Sequence, residues 1–226
     1  MARETAPLER ALASTGGRLA EAVTQGVARW GVRVAIVSAL AAAVAQFVDF
    51  GVYGLRIRQL DMSTHASVFG VLSVLALVTA GGAAVLLAVA ETTRRGALLV
   101  LPPLLAALLA LRVLQPTHVL LWALPFAAAT FVVLWWCCGT PASATRRLIR
   151  AGCAILIGSY AIHALGTSVV SALGYGPASW PYQIKLVVKH SGELAGWTII
   201  ATGLATIYPG SRRLSRSSSA RSSEPQ

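Results

Sequence analysis

The chain alternates long apolar runs with short polar segments. Six runs are long enough to cross a membrane as helices, at approximately 31–50, 67–90, 97–114, 117–138, 151–173 and 184–208. About 20 helical residues are needed because the hydrocarbon core is about 30 Å thick and a helix rises about 1.5 Å per residue. Backbone groups in lipid must also be hydrogen-bonded within the protein, and the connections between the runs are short. The pattern therefore predicts an all-α, polytopic bundle of about six transmembrane helices, with the lipid bilayer as its main partner.

Polar segments flank the predicted transmembrane domain, which covers residues 31–208. In residues 1–30, leucine and valine recur at helical spacing with arginines between them, which is typical of an amphipathic helix on the cytoplasmic surface. Gly16 and Gly17 weaken that helix, so a partly ordered basic tail is one alternative, and a cleavable signal peptide is another. Residues 209–226 are basic and rich in serine, which predicts a disordered cytoplasmic tail.

The distribution of arginine and lysine predicts the orientation of the bundle. If the N-terminus lies inside the cell, fourteen of these nineteen residues fall on the cytoplasmic side and five on the other side. Because positively charged loops are retained in the cytoplasm, both termini are predicted to be cytoplasmic.

Composition supports a membrane location and narrows the partners. The chain is 56% hydrophobic and 12% charged, with a mean hydropathy of +0.68, which is too apolar for an ordinary soluble domain. The net charge of +11 lies in short segments between the apolar runs, so we expect no nucleic-acid partner. Arginine outnumbers lysine 17 to 2 and alanine is abundant, which suggests a bacterial source and hence the cytoplasmic (inner) membrane.

The last apolar run carries an unusual polar stripe. Lys185, Lys189 and Glu193 recur every four residues, so on a helix they lie within an arc of about 80°. Gly192 and Gly196 lie along the same side and would let another helix approach closely. The stripe is therefore predicted to face the interior of the bundle and not the lipid.

Other ionisable residues are predicted to lie in the same half of the membrane. His163 in the fifth run lies at a depth similar to that of Glu193, His190 lies one turn before Glu193, and Asp49 lies near the outer end of the first run. A charge in the middle of a membrane costs at least about 2.5 kcal/mol, so these groups need partners or water. We expect Glu193 and His163 to exchange a proton or bind a small solute, with Lys189 tuning Glu193 and Asp49 as a cation or proton partner.

Two other interpretations remain open at this point. In a noncatalytic scaffold or accessory subunit, Lys189 and Glu193 would pair only to fix helix packing. In a membrane enzyme, Ser159 and His163 would act as nucleophile and base, or His163, His190 and Glu193 would bind a metal, or His163 and His190 would bind a haem. The chain carries no dinucleotide, phosphate-loop or zinc-binding motif, so the sequence predicts no particular cofactor.

Overall fold

The apolar runs form helices in a computed structural model of the protein. The structure describes the backbone of residues 5–55, 57, 59–62, 67–90, 95–114, 119–137 and 143–221, and the side chains of residues 22–55, 57, 59–62, 67–89, 98–114, 123–136 and 144–207. The elements are α1 (Thr5–Val48), which ends in one π-helical turn (Asp49–Tyr53), α2 (Val68–Ala90), α3 (Arg95–Leu114), α4 (Val119–Cys137), α5 (Ser143–Ala172) and α6 (Trp180–Arg221). Every described element is helical, which confirms the predicted all-α bundle.

Three of the helices are long and apolar enough to cross a membrane, and they support a membrane protein. They contain the segments Ala22–Tyr53, Val68–Val89 and Ala144–Ala172. In α3 and α4 the described apolar segments are shorter, Leu98–Leu114 and Ala123–Trp136. Helix α6 is not among these three apolar helices; its first half carries the charged side chains of Lys185, Lys189 and Glu193. The predicted count of six crossings remains a prediction.

Helix α6 lies at the centre of the bundle. Helices α1, α2 and α5 all pack against it, while α3 packs on α2, and α4 packs mainly on α3. The outward faces of the surrounding helices keep large apolar side chains exposed, for example Leu40 of α1, Leu86 of α2 and Leu165 of α5. Such faces suit contact with lipid.

Helices α5 and α6 are antiparallel and approach closely through glycines. The Thr145 and Thr206 hydroxyls are 2.9 Å apart near one end of the pair, and Gly166 lies against Lys185 near the other end. Between them, a Cβ atom added to Gly192 would lie 2.7 Å from Ser159 Cβ. A Cβ added to Gly196 would lie 2.6 Å from Cγ of Leu156. The prediction that Gly192 and Gly196 admit a neighbouring helix is confirmed.

Helix α1 is also antiparallel to α6. Gly31 of α1 contacts Thr202, and Gln46 donates a 2.7 Å hydrogen bond to Gln183. The two ends of the bundle are named here after these contacts: the Gln46 end contains Gln46 and Gln183, and the Thr206 end contains Thr145 and Thr206.

Two apolar clusters fill the bundle. The larger one extends toward the Thr206 end and includes Leu87, Leu101, Leu134, Leu156 and Ile200. The smaller one lies at the Gln46 end and consists of Ala42, Met62, Phe69, Leu186 and Val187. On α6, His190 and Glu193 lie between Val187 of the smaller cluster and Trp197 of the larger one.

The terminal segments differ in part from what the sequence suggests. Helix α1 continues through Gly16 and Gly17, and its 44 residues span about 66 Å, which exceeds the thickness of the hydrocarbon core. Helix α6 is helical to Arg221, where a disordered tail was expected. Extending an existing helix needs no new nucleus, so a serine-rich sequence can continue one. Residues 1–4 and 222–226 lie outside the described part, and the surface position of residues 1–30 remains a prediction.

Candidate intramembrane polar site

Glu193 is the centre of a buried group of polar side chains from three helices. It is only 4% exposed. Its Oε2 atom lies 3.5 Å from Nη2 of Arg112 in α3 and 3.7 Å from Nδ1 of His190 in α6. The Tyr160 hydroxyl of α5 donates a long, 3.4 Å hydrogen bond to Oε1. These four residues are called the Glu193 cluster below.

The positions of the Glu193 cluster follow from the helices that carry it. Arg112 lies in the last turn of α3, where a cation is stabilised by the negative end of the helix dipole. His190 and Glu193 are three residues apart on α6 and therefore share a face. Tyr160 is level with Glu193 because the neighbouring Ser159 packs against Gly192.

The contacts of Glu193 are loose for a buried charge. Charge-assisted hydrogen bonds between nitrogen and a carboxylate are usually about 2.7–2.9 Å long. Both nitrogens near Oε2 are farther away than this, and Oε2 is buried without a hydrogen bond from any described residue. A buried ion pair is favourable only when its geometry is good and its remaining hydrogen bonds are made. Glu193 is therefore held by charge but is not fully satisfied.

A second polar group lies next to the Glu193 cluster, toward the Gln46 end. Lys185 is 6% exposed, and its Nζ atom donates a 3.2 Å hydrogen bond to the Thr167 hydroxyl of α5. Half-buried Lys189 lies one turn further along α6. His163 of α5 lies one turn before Thr167, the residue that accepts from Lys185, and its Nδ1 atom is buried with no hydrogen-bond partner in the described structure. Lys185, Lys189 and His163 are called the lysine face below.

The structure brings together some of the predicted site residues and separates others. Glu193 and His190 are in contact, as the prediction of a common site requires. Lys189 makes no ion pair with Glu193 within 4.0 Å, and Arg112 takes that place. His163 contacts neither Glu193 oxygen at hydrogen-bond distance, because it lies nearly one helical turn beyond Tyr160 toward the Gln46 end. In the described structure the charged partners of Glu193 are therefore Arg112 and His190, and exchange between Glu193 and His163 remains a prediction.

Asp49 lies apart from both groups. It is fully buried in the π-helical turn that ends α1, where its Oδ1 atom accepts a 3.0 Å hydrogen bond from the Ile57 backbone N–H. Its backbone oxygen accepts the Leu55 N–H at 3.0 Å. Asp49 is level with Trp180, as the packing of Phe50 on Trp180 shows, so it is about 20 Å from Glu193 along α6. Asp49 thus accepts one backbone N–H with Oδ1, while its Oδ2 atom, like Oε2 of Glu193, is buried with no hydrogen-bond partner among the described residues.

Two members of the Glu193 cluster were not identified from the sequence. In the sequence, Arg112 is a charge at the edge of an apolar run. Nothing in the pattern around it indicates that it pairs with Glu193, 81 residues further along the chain. Tyr160 follows Ser159 directly, and tyrosine is common at membrane interfaces, so it gave no distinct signal. The available clue was that a buried carboxylate in a membrane requires a cation from another helix.

The enzyme interpretation gains no geometric support from the described residues. The Ser159 hydroxyl donates to the Leu156 carbonyl oxygen at 2.9 Å and is packed against Gly192, so it does not point at His163. No group of three or more histidine, cysteine, aspartate or glutamate side chains in the described part is placed to bind a metal ion.

The geometry of the Glu193 cluster and the lysine face indicates what chemistry they can support. The Glu193 carboxylate has an oxygen without a hydrogen bond from the described residues, and it lies next to His190, with Lys185 and Lys189 on the side of the Gln46 end. Such an arrangement can bind a proton or a polar solute. No protein-family model matches the chain, and neither a curated protein nor a solved structure matches it.

Proposed function

We propose that this is a multi-pass protein of a bacterial cytoplasmic membrane that handles a small solute or a proton through the Glu193 cluster. In this proposal the chain crosses the membrane six times, with both termini in the cytoplasm. The Thr206 end then faces the cytoplasm and the Gln46 end faces outward. The arginine distribution supports this orientation, since the first turns of α5 carry Arg146, Arg147 and Arg150 and the end of α6 is also basic.

The observation that carries the proposal is the state of the Glu193 carboxylate. It is buried in the central helix, yet its Oε2 atom lacks a hydrogen bond from the described residues. Ionisable groups inside membrane proteins commonly mark ion or substrate pathways. Arg112 and His190 both lie within 4 Å of Oε2 but farther away than charge-assisted hydrogen bonds normally are, so the carboxylate keeps capacity for a proton or a polar solute.

The main competing role is a scaffold in which the Arg112–Glu193 pair only joins α3 to α6. That contact does connect two helices across the bundle, which favours this role as the second candidate. The two roles differ in one respect: a scaffold needs the pair to remain intact, whereas proton or solute handling needs Glu193 to change its protonation state or its partner.

The test is proton movement in liposomes that contain the purified full-length protein and an entrapped pH-sensitive dye. A potential imposed with potassium and valinomycin drives protons inward. We expect the wild-type protein to acidify the lumen faster than empty liposomes do. The variant Glu193→Gln has nearly the same shape but cannot exchange a proton, so it should reduce the rate to that of empty liposomes.

Asp49→Asn is the matched control for this experiment. It removes the other carboxylate that is buried in the described bundle, about 20 Å away along α6, and its amide oxygen can still accept the Ile57 N–H. We expect Asp49→Asn to retain the wild-type rate. If folded Glu193→Gln moves protons as fast as the wild type, or if wild-type and empty liposomes behave alike, the proton-handling proposal is wrong and the scaffold role is favoured.

A further inference from the structure

The two polar groups together contain more positive than negative charge. Arg112, Lys185 and Lys189 are cations, and Glu193 is the carboxylate among them. Glu193 is already in contact with Arg112 and His190. Asp49 does not compensate for the lysines, because it lies on the α1 side of α6. Among the described residues, no carboxylate oxygen lies within 4.0 Å of the Lys185 or Lys189 ammonium group.

The contacts of Lys185 are all with neutral groups. Its Nζ atom donates to the Thr167 hydroxyl and lies 4.2 Å from the centre of the Tyr182 ring. The Thr167 hydroxyl donates its own proton to the His163 carbonyl oxygen at 2.6 Å, so it accepts the Lys185 N–H through a lone pair of its oxygen. An ammonium group has three N–H donors, and the Thr167 hydroxyl accepts one of them. The aliphatic part of Lys185 packs on Gly166, which fixes the direction of the side chain.

Lys189 and His163 add further donors next to Lys185. Side chains four residues apart on a helix have Cβ atoms about 6 Å from each other, which places Lys189 beside Lys185. His163 lies one turn from Thr167 on the side of α5 that contacts Lys185, and its buried Nδ1 atom has no hydrogen-bond partner among the described residues. An oxyanion between these three side chains would accept hydrogen bonds from each of them and would balance the charge of the lysines.

We propose that the lysine face binds an anionic group, namely a carboxylate or a phosphate oxyanion. The inference rests on the proposed function for its biological role, and it makes the solute an anion. The same oxyanion chemistry is offered by a small soluble anion and by the headgroup of an anionic lipid. In the proposed orientation both sources reach the lysine face from the outer side of the membrane.

The experiment measures thermal unfolding of the full-length protein in nanodiscs of zwitterionic lipid. Sodium phosphate and sodium acetate are the probes, and sodium chloride at the same ionic strength is the reference. A ligand that binds only the folded protein raises the midpoint with a saturating dependence on concentration. We expect a saturating increase of several degrees for at least one of the two probes, and none for chloride.

Lys189→Gln is the main variant, because Lys189 is half-buried and its loss should still allow folding. It should raise the half-saturating anion concentration at least tenfold, and Lys189→Arg should restore most of the response. Arg33→Gln is the control, since it removes one positive charge from an exposed position far from the lysine face. Its response should match that of the wild type.

A second arm identifies the source of the anion. If nanodiscs that contain phosphatidylglycerol stabilise the wild type and abolish its response to phosphate, the lysine face binds lipid headgroups. If the phosphate or acetate response persists there, the ligand is a soluble anion. Either result supports the anion site.

Absence of a saturating response in both lipids, or an equal response in Lys189→Gln, overturns the anion site. That failure is separate from failure of the proposed function. Proton movement that depends on Glu193 without anion binding refutes only the anion site. Anion binding without any proton movement supports the site and refutes proton handling.

Discussion

The close approach of α5 and α6 at Gly152 leads to a quantitative stability prediction. A Cβ atom at Gly152 would lie 2.7 Å from Ile200 Cγ1, 2.9 Å from the Gly196 carbonyl oxygen and 3.2 Å from the Ile200 backbone nitrogen. A side-chain atom can rotate away, but the two backbone atoms can move only if α6 moves. The variant Gly152→Ala must therefore push the two helices apart.

The expected cost follows from what the helices lose. Extra atoms in a closely packed core cost about 1–3 kcal/mol. Separation of the helices would also loosen the Gly196–Leu156 contact, so a value in the upper part of that range is expected. For a chain of this size about 1 kcal/mol changes the unfolding midpoint by about 2–4 °C, so a cost of about 2–3 kcal/mol gives a decrease of about 4–12 °C.

Gly158→Ala is the matched control in the same helix. No atom outside its own neighbourhood lies within 4 Å of a Cβ at this position. Alanine is the better helix former by about 1 kcal/mol, so Gly158→Ala should leave the protein unchanged or slightly more stable. Each purified protein is heated in detergent, and the fraction that remains monodisperse is measured by size-exclusion chromatography. Equal midpoints for Gly152→Ala and Gly158→Ala would show that the described α5–α6 contact is wrong.

The same heating assay tests two polar contacts. Arg112→Gln should lower the free energy of unfolding by about 3–5 kcal/mol, because it leaves Glu193 buried without its cation. The double variant that also carries Glu193→Gln should recover part of this loss. Strictly additive effects of the two substitutions would show that the pair does not interact. Gln46→Leu removes the acceptor of the Met62 N–H and the donor to Gln183, both at 2.7 Å, and should cost about 1–3 kcal/mol per unsatisfied group. A further Gln183→Leu change should then cost less than it does alone, and an unaltered midpoint in Gln46→Leu would contradict these hydrogen bonds.

The helical architecture could be predicted because it depends on local chemistry. An apolar run in lipid has to satisfy its own backbone, so the runs determine helices wherever they occur. The inward direction of the Lys185–Glu193 stripe was also accessible, since Gly192 and Gly196 on the same side indicate a close neighbour. Both inferences use residues that are adjacent on one helix.

The membership of the site depends on the register between helices, which the sequence does not specify. Glu193 could pair with Lys189 by helical spacing, but Arg112 is reached only because α3 ends at the right height. In the sequence, Asp49 resembles a site residue because it is acidic and lies in an apolar run. Only the structure shows that it lies in the turn that ends α1. His163 lies one turn too far along α5 to contact Glu193, an error of about 5 Å that no spacing argument resolves.

The contacts between α5 and α6 differ at the two ends of α6, and this difference bears on whether the charges of α6 are needed for helix packing. Toward the Thr206 end, α5 and α6 are joined by glycines and apolar side chains, including Gly152, Gly203 and Ile200. Such contacts are sufficient to hold two membrane helices together. Toward the Gln46 end the same two helices bury the Lys185 ammonium group beside Thr167, at a desolvation cost that the glycine contacts do not require. The proposed ligand or proton site accounts for this charge, which is not needed to join the helices.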